Sequence, residues 1–271
     1  MSVIGIIELF LTGALAGLAA GFMGVGGGAV LTPLCLMVYP AVGIASDNLI
    51  KVIFGTNMFL ITAFSLSASL KHHSNRKIDW SSVAVMGPLA IVGSVFGGWL
   101  ASHTDPSTLI KSFAVLLAIS SVLIVLKGST KPAGKDEGAK PLLPMRLLPL
   151  VGFIGGAFGS FLGIGGGTIM IPIMILAFAF PVDRIAGTTS SIFIFIGLFG
   201  MLSYMWYGRG MTNLPGWSTG YVWWSGAIPV ALGGVPMAQV GAWINSKTHA
   251  RLLQRLFGLI LLVIALKILF F

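Results

Sequence analysis

The sequence predicts an all-α polytopic membrane protein built from two homologous halves. Three observations indicate this fold class: the composition is strongly apolar, the apolar residues form long segments, and one set of glycine-rich motifs occurs twice. Of the 271 residues, 56% are hydrophobic and only 8% are charged, whereas about a quarter of the residues in an ordinary globular domain are charged. So few charged side chains could not cover the surface of a water-soluble protein of this length, which excludes that class.

The net charge is positive, with 16 Lys and Arg against 7 Asp and Glu for a formal charge of +9. Such an excess is typical either of nucleic-acid-binding proteins or of membrane proteins with basic cytoplasmic loops. The cations lie mostly in short gaps between apolar segments, so we interpret them as orientation signals and expect no nucleic-acid partner. A single cysteine, Cys35, excludes an intramolecular disulfide and a multi-cysteine metal centre, and we expect no cofactor.

Ten apolar segments follow one another along the chain, and a segment of about 20 residues can cross a bilayer as a helix. They lie at 3–23, 29–39, 49–70, 81–101, 108–126, 147–162, 168–180, 186–206, 220–244 and 252–271. Two of them, 29–39 and 168–180, are too short to cross easily, and each follows a glycine cluster. Short, glycine-interrupted segments at matching positions of two halves indicate a transporter binding site. We expect about eight to ten membrane helices or half-helices with glycine-rich breaks.

An internal duplication is indicated by three motif matches that occur in the same order. Residues 24–28 read Gly-Val-Gly-Gly-Gly with Pro33 five residues on, and 163–167 read Gly-Ile-Gly-Gly-Gly with Pro172 five residues on, at an offset of 139. The other matches are Gly55-Thr56-Asn57 with Gly187-Thr188-Thr189, and Gly97-x-Trp99 with Gly241-x-Trp243. We therefore divide the chain into a first membrane repeat at 1–127, a cytoplasmic linker at 128–146 and a second membrane repeat at 147–271.

The distribution of cations predicts how the halves are inserted. Basic residues fill the gap at 71–79, the linker and the gap around 245–251, which should therefore be cytoplasmic. The gaps at 40–48, 102–107 and 208–219 are poor in cations and should face outside. One arrangement satisfies all six gaps: the halves are inverted repeats, with both termini outside. The alternative, a parallel repeat with four crossings in each half, would place the cations around 245–251 outside.

The glycine clusters are the strongest candidates for a functional site. Consecutive glycines inside a membrane segment lower helix propensity and expose backbone amides that lipid cannot satisfy. The helix after such a break begins with free N–H groups and the positive end of its dipole, which together favour an anion. If the repeats are inverted, helix starts near Ala29 and Thr168 face one another and form an anion site without a fixed positive side chain. The alternative is that the small residues only permit close helix packing.

The doubled motif at 24–33 and 163–172, together with the Gly-Thr pairs at 55–56 and 187–188, resembles the signature of the sulfite exporter TauE/SafE family over nearly the whole chain. The resemblance implies a permease of a prokaryotic inner membrane that carries sulfur-containing anions such as sulfite, sulfonates or sulfoacetate. It supports an anion permease better than any one substrate. The halves differ where 57–59 read Asn-Met-Phe and 189–191 read Thr-Ser-Ser, so a site that uses both would be asymmetric.

The predicted substrate-binding residues come from the two breaks and from the polar starts of two later helices, whose hydroxyl and amide groups can donate to an oxyanion. They are Gly26, Gly27, Gly28, Ala29, Thr56, Asn57, Gly165, Gly166, Gly167, Thr168, Thr188, Thr189 and Ser190. Capping and interhelical hydrogen bonding explain the hydroxyl groups equally well. Lys51 and Arg184, just before the Gly-Thr pairs, could draw an anion to the site, although snorkelling to the membrane surface is the simpler explanation.

We expect a secondary transporter that moves a small sulfur-containing anion through the lipid bilayer by alternating access. The sequence leaves the driving force open between Na⁺ bound by carbonyl groups, H⁺ carried on the substrate and the gradient of the anion itself. A passive anion channel, or an integral-membrane enzyme or assembly factor of sulfur metabolism, is the alternative. An enzyme would need a polar catalytic pair inside the spans, and the sequence shows none. The four histidines, His72 among them, fall in polar gaps, and motifs of metalloproteases, serine hydrolases and P-loop ATPases do not occur. We therefore expect no enzymatic activity.

Overall fold

A computed structural model of the chain describes residues 2–24, 26–44, 46–127 and 142–247. These residues are almost entirely helical, which confirms the predicted all-α class. The helices are α1 (Val3–Met23), α2 (Gly28–Ala41), α3 (Leu49–Ser74), α4 (Trp80–His103), α5 (Pro106–Lys127), α6 (Leu148–Phe161), α7 (Gly167–Phe178), α8 (Val182–Tyr207) and α9 (Trp224–Lys247). A 3₁₀ turn at Met145–Leu147 precedes α6, and two short antiparallel strands, β1 (Ser218–Thr219) and β2 (Val222–Trp223), precede α9.

Five of the described helices, α1, α3, α4, α8 and α9, are long and apolar enough to cross a membrane. The chain is therefore a multi-pass membrane protein. The two segments predicted to be short are indeed helices of 14 and 12 residues, α2 and α7. The predicted last segment, 252–271, and most of the predicted linker, 128–141, lie outside the described residues, as do the cations within them.

Glycines allow two pairs of helices to pack backbone against backbone. Gly13, Gly17 and Gly21 of α1 lie against successive carbonyl groups of α9, and a Cβ atom built on Gly17 would collide with the Gly234 carbonyl. Gly97 of α4 meets α6 in the same way. Small residues spaced by four are a typical means of close helix contact in lipid, where no hydrophobic force drives helices together. In both pairs the first helix of one half packs against the fourth helix of the other, so the halves interlock.

The third helices of the two halves, α3 and α8, pack against each other in opposite directions. Near the start of α3, Met58 lies beside Gly200, and near its end the Ser69 hydroxyl is 2.7 Å from the Ser191 hydroxyl. Residues later in α3 therefore contact residues earlier in α8, which means that the two helices run antiparallel. Both helices are largely buried, and their contact forms the centre of the molecule.

The antiparallel packing of α3 and α8 places the loops that follow them at opposite ends of the molecule. The loop after α3 reaches the start of α8, where a Cβ atom built on Gly187 would collide with the Lys77 carbonyl. The loop after α8 reaches the start of α3, where a Cβ atom built on Gly55 would lie 2.6 Å from the Tyr221 carbonyl oxygen. Each Gly-Thr pair is therefore covered by a loop of the other half.

Candidate functional site

The two glycine breaks lie against each other in the interior of the molecule. A Cβ atom built on Gly28 would collide with the backbone of Ile164 and lie 2.6 Å from the Gly163 carbonyl oxygen. A Cβ atom on Gly165 would lie 3.8 Å from the Gly26 Cα. All the described residues of both breaks are buried. The fold thus brings together two motifs that are 139 residues apart in the sequence.

Both breaks have the same backbone conformation. Gly26 and Gly27 have φ angles of 86° and 79°, and the equivalent Gly165 and Gly166 have φ angles of 87° and 88°. Residues with a Cβ atom rarely adopt such angles, whereas glycine adopts them freely. The turn itself therefore requires glycine at these positions, in addition to the close contact between the breaks.

The helices that leave the two breaks begin without a capping side chain. α2 begins at Gly28 and α7 at Gly167, and at neither start does a capping side chain accept a hydrogen bond from a backbone N–H group. The first N–H groups that donate to a backbone carbonyl are those of Val30, which donates to Gly27, and Ile169, which donates to Gly166. The first two amides of each helix therefore lie outside the helical hydrogen-bond ladder, at the positive end of the helix dipole. Two such ends in the interior suit an anion better than a cation or a neutral ligand.

A narrow crevice lies between these helix starts. Its lining comes from the start of α2, from the second break and from the middle of α5: Ala29, Phe113, Leu116, Leu117, Ile164 and Thr168. It is too narrow for a water molecule. The Thr168 hydroxyl is buried and has no hydrogen-bond partner among the described residues. An unpaired buried hydroxyl costs about 1–3 kcal/mol, so a ligand that accepts from it would regain that free energy.

The Gly-Thr pairs hold helix starts of the opposite half. The Thr56 hydroxyl accepts from the Trp223 N–H at 3.0 Å, just before α9. The Thr188 hydroxyl accepts from the Asp79 N–H at 3.0 Å, just before α4, and donates to the Arg184 carbonyl. The two predicted residues therefore occupy equivalent places and act on backbone groups in this conformation. Neither belongs to the crevice lining.

The next predicted residues contact the first helical hairpin, which is formed by α1 and α2. The Asn57 side-chain amide donates to the Thr32 hydroxyl of α2 at 2.8 Å. The Thr189 hydroxyl lies 2.9 Å from the Gly24 carbonyl oxygen at the end of α1 and 2.7 Å from the Ile185 carbonyl oxygen of its own helix, so its one hydrogen is shared between them. Ser190 beside it is buried, with 1% of its surface exposed. Asn57 and Thr189 thus tie α3 and α8 to the hairpin, and all three side chains lie outside the crevice lining.

The two candidate cations lie in different surroundings. Lys51 is buried near the start of α3, where its ammonium group donates to the Ser102 carbonyl at 2.8 Å and lies 5.9 Å from the centre of the Tyr221 ring. The negative charge of Asp105 attracts the ammonium group. Hydrogen bonds from the Ser107 hydroxyl and the Thr108 N–H lower the pKa of the Asp105 carboxyl group to about 2. Arg184 is exposed at the start of α8. The structure does not bring either cation to the crevice.

One polar residue was missed by the sequence reasoning. The expectation that every histidine falls in a polar gap is wrong for His72, which lies in the last turn of α3 and is fully buried. Its Nε2 atom is 3.4 Å from the Gly21 carbonyl oxygen. The repeat contained a signal for it, because the offset of 132 that relates Gly55 to Gly187 also relates His72 to Tyr204. Tyr204 is buried as well, and its hydroxyl donates to a carbonyl of α6.

A multi-pass helical protein with two related, interlocked halves, each contributing a buried glycine break, has the architecture of a membrane transporter. The chain belongs to the sulfite exporter TauE/SafE family, whose family model matches residues 9–268. A probable membrane transporter protein of Haemophilus influenzae is 27% identical over 263 residues, which cover 97% of each chain. The probable membrane transporter protein YunE of Bacillus subtilis is 24% identical, again over 97% of each chain. No solved structure matches this chain.

A third relative, from Methanocaldococcus jannaschii, is also named a probable membrane transporter protein and is 26% identical over 95% of this chain and 93% of its own length. The similarity extends over nearly the full length of all three relatives. The protein is a membrane transporter. The names of its relatives are those of transporters and not of enzymes.

Proposed function

We propose that the protein is a secondary transporter that carries a small sulfur-containing anion, of the sulfite, sulfonate or sulfoacetate class, across a prokaryotic inner membrane. One observation carries the proposal: two uncapped helix starts, one from each half, meet in the interior beside an unpaired threonine hydroxyl. The anion binds between the two glycine breaks when they move apart, since the crevice of this conformation has no room for a water molecule. Its oxygens accept from the first amides of α2 and α7 and from the Thr168 hydroxyl.

This site has no charged side chain in its lining. Helix dipoles and amides replace the water that the anion loses, each helix end acting as roughly half a positive charge. A neutral site of this kind binds an anion without holding it as strongly as a buried cation would. Moderate affinity suits a transporter because the substrate must leave as readily as it enters.

Alternating access follows from the inverted arrangement of the halves, which the antiparallel packing of α3 and α8 supports. The crevice between Ala29 and Thr168 has no room for water, which favours a carrier that opens to one side at a time over a permanently open channel. The glycine turns where α1 meets α2 and α6 meets α7 are suited to this movement, because glycine has no Cβ atom and can change its backbone angles from the positive φ observed here at little cost.

The first experiment is anion flux into proteoliposomes that contain the purified protein. The panel is sulfite, sulfate, thiosulfate, a two-carbon sulfonate and a carboxylate as a control. We expect saturable flux of a sulfur anion. In Thr168→Val the half-saturating concentration should rise at least about tenfold, since a hydrogen bond to a charged group contributes about 1.5–3 kcal/mol.

The matched control is Thr12→Val, because the Thr12 hydroxyl donates only to the Glu8 carbonyl within α1. This variant should transport like the wild type. If folded protein carries no sulfur anion of the panel, the proposed substrate class is wrong. If flux occurs but Thr168→Val behaves like Thr12→Val, the transporter is correct and the site lies elsewhere.

A further inference from the structure

The end of α1, just before the first glycine break, is held by side chains from three other helices. The last carbonyl groups of a helix have no partner within it, and here His72 of α3, Thr189 of α8 and Asn245 of α9 supply the missing bonds. The contacts are Nε2 of His72 to Gly21 O at 3.4 Å, Thr189 Oγ1 to Gly24 O at 2.9 Å, and Asn245 Nδ2 to Phe22 O at 2.8 Å. We call these three contacts the α1 latch.

His72 is the member of the α1 latch whose charge can change. To donate to the Gly21 carbonyl, the neutral ring must carry its proton on Nε2, which leaves Nδ1 as an acceptor. Nδ1 is buried and has no hydrogen-bond partner among the described residues. A fully buried proton acceptor without a partner is unusual, because buried polar atoms are nearly always paired. The interior therefore contains a free proton-binding position next to the first break.

The groups that face the ring do not compensate a positive charge. α1 presents the Gly21 carbonyl, and α8 presents Gly187, where a Cβ atom would lie 3.0 Å from the His72 Cβ. The Lys77 ammonium, in the loop after α3, is the charge that acts on the ring. On α3 itself, the flanking titratable residues are Lys71 and His73. A second proton on His72 would thus be buried beside a cation, and burying an unpaired charge is costly.

The second half has an equivalent contact that lacks this property. Tyr204 occupies the position equivalent to His72, and its hydroxyl donates to the Ser160 carbonyl of α6 at 2.9 Å. A tyrosine hydroxyl can hold the carbonyl in the same way, but it does not take up a proton near neutral pH. The two halves therefore differ at this position in one respect: His72 can bind a proton, and Tyr204 cannot.

We propose that His72 is the proton-binding site that couples this transporter to H⁺. Protonation at Nδ1 converts the neutral ring to an imidazolium with an N–H group that has no acceptor in this conformation. The α1 latch is then destabilised, and the ring moves to reach water and leaves the Gly21 carbonyl. The end of α1 and the first break become free to move. The proton travels with the substrate, so that one H⁺ and one monoanion carry no net charge.

The coupling step depends on the proposed function, but proton binding can be tested without any substrate. Cys35 is the only cysteine of the chain, and it is buried in α2 with its sulfur 3.9 Å from Oδ1 of Asn57 in α3. Movement of the α1–α2 hairpin away from α3 should expose it. The probe is a pyridyl disulfide. The rate of reaction in proteoliposomes is divided by the rate for the same protein unfolded in SDS at the same pH, which removes the reactivity of the thiol itself.

In the wild type, this normalised rate should increase as the pH falls below about 6.5, where a histidine in water takes up a proton, and should go on increasing towards about pH 4, because the buried ring binds its second proton only when the α1 latch opens. The slope is at most about tenfold per pH unit, the limit for one proton. In His72→Gln the side-chain amide can still donate to Gly21 but has no titratable nitrogen, so the rate should not depend on pH. His73→Gln is the matched control. His73 is exposed, and this variant should titrate like the wild type.

A second variant, His72→Tyr, copies the residue of the other half and should also lose the pH dependence. A wild type without a pH response, or a His72→Gln or His72→Tyr protein that still titrates, would overturn the proposal. Uptake of ethanesulfonate, which stays ionised over this range, is measured in parallel with a pH dye inside the vesicles. Uptake without proton movement would disprove the coupling. A pH response that depends on His72, without uptake of any anion, would support the proton site and count against the proposed substrate.

Discussion

Thr188 connects the two halves through a single hydroxyl group. Its oxygen accepts a hydrogen bond from the Asp79 N–H, and the hydroxyl donates one to the Arg184 carbonyl. In Thr188→Val the shape of the side chain is kept, and the Asp79 N–H loses its acceptor where α4 begins. We expect the free energy of unfolding to fall by about 1–3 kcal/mol. The measurement is the thermal unfolding midpoint of the purified protein, compared with that of Thr12→Val.

Thr12→Val is a suitable reference because its lost hydrogen bond lies within one helix. Equal midpoints for the two variants would show that the contact between Thr188 and the start of α4 contributes nothing to stability. The same comparison tests whether the hydroxyl groups at the helix starts serve capping and interhelical hydrogen bonding or substrate binding. A residue that only binds substrate can be replaced without a loss of stability.

Single residues differ in how well the sequence alone predicts their role. The glycines of the breaks could be predicted because a membrane helix has few reasons to contain three of them in a row, and the positive φ angles explain the choice. The burial of His72 could not be predicted from hydropathy, since the apolar segment ends near residue 70 whereas α3 continues to Ser74, and only the offset of 132 to Tyr204 pointed to it. Helix ends are the least certain part of such predictions, because the last turn has no apolar periodicity of its own.

At the scale of helices, the contact between α1 and α9 can be tested with one added methyl group. A Cβ atom at Gly17 would collide with the Gly234 carbonyl, which belongs to the backbone and cannot turn aside. We expect Gly17→Ala to separate the two helices and to lower stability by about 1–3 kcal/mol or more. The measurement is the yield of monodisperse protein in size-exclusion chromatography together with the unfolding midpoint.

Gly87→Ala provides the matched control within a membrane helix. The nearest atom to a Cβ at Gly87 is Cδ2 of Phe195, at 4.0 Å, so the methyl group has room. Alanine is favoured over glycine inside a helix by about 1 kcal/mol, which offsets the crowding of a Cβ atom against the ring of the following Pro88, and this variant should be close to the wild type in stability. A Gly17→Ala protein that matches Gly87→Ala would mean that the close packing of α1 and α9 is not needed.

The sequence predicts where the helices of the site begin, but not which residues contact them. The short helices α2 and α7 follow directly from the glycine clusters, and their starts could be predicted to within a residue or two. The partners of Thr56 and Thr188 could not. They are the amides of Trp223 and Asp79 in the opposite half, and a local pattern contains no information about a contact more than a hundred residues away.

For the whole molecule, the duplication in the sequence predicts two related halves but not their exchange of partners. α1 packs against α9, and α4 packs against α6, so neither half buries its first helix against its own fourth helix. The apolar face of a helix can be covered by any partner of suitable shape, which is why composition and periodicity leave this choice undetermined. The interlocked arrangement also means that movement at one break must be accommodated by both halves.

The orientation of the halves in the membrane gives the last prediction. Because α3 and α8 are antiparallel, residues after α3 and residues after α8 lie at opposite ends, and the basic gap at 71–79 should be cytoplasmic. We expect Ser74→Cys and Thr212→Cys, each in a Cys35→Ser background, to react with a membrane-impermeant maleimide from opposite sides, Thr212→Cys from outside. Both positions are exposed. The wild type serves as the control because its own cysteine is buried and should not react. Labelling of both positions from one side would rule out the inverted arrangement, and with it a mechanism in which the two breaks open to opposite sides in turn.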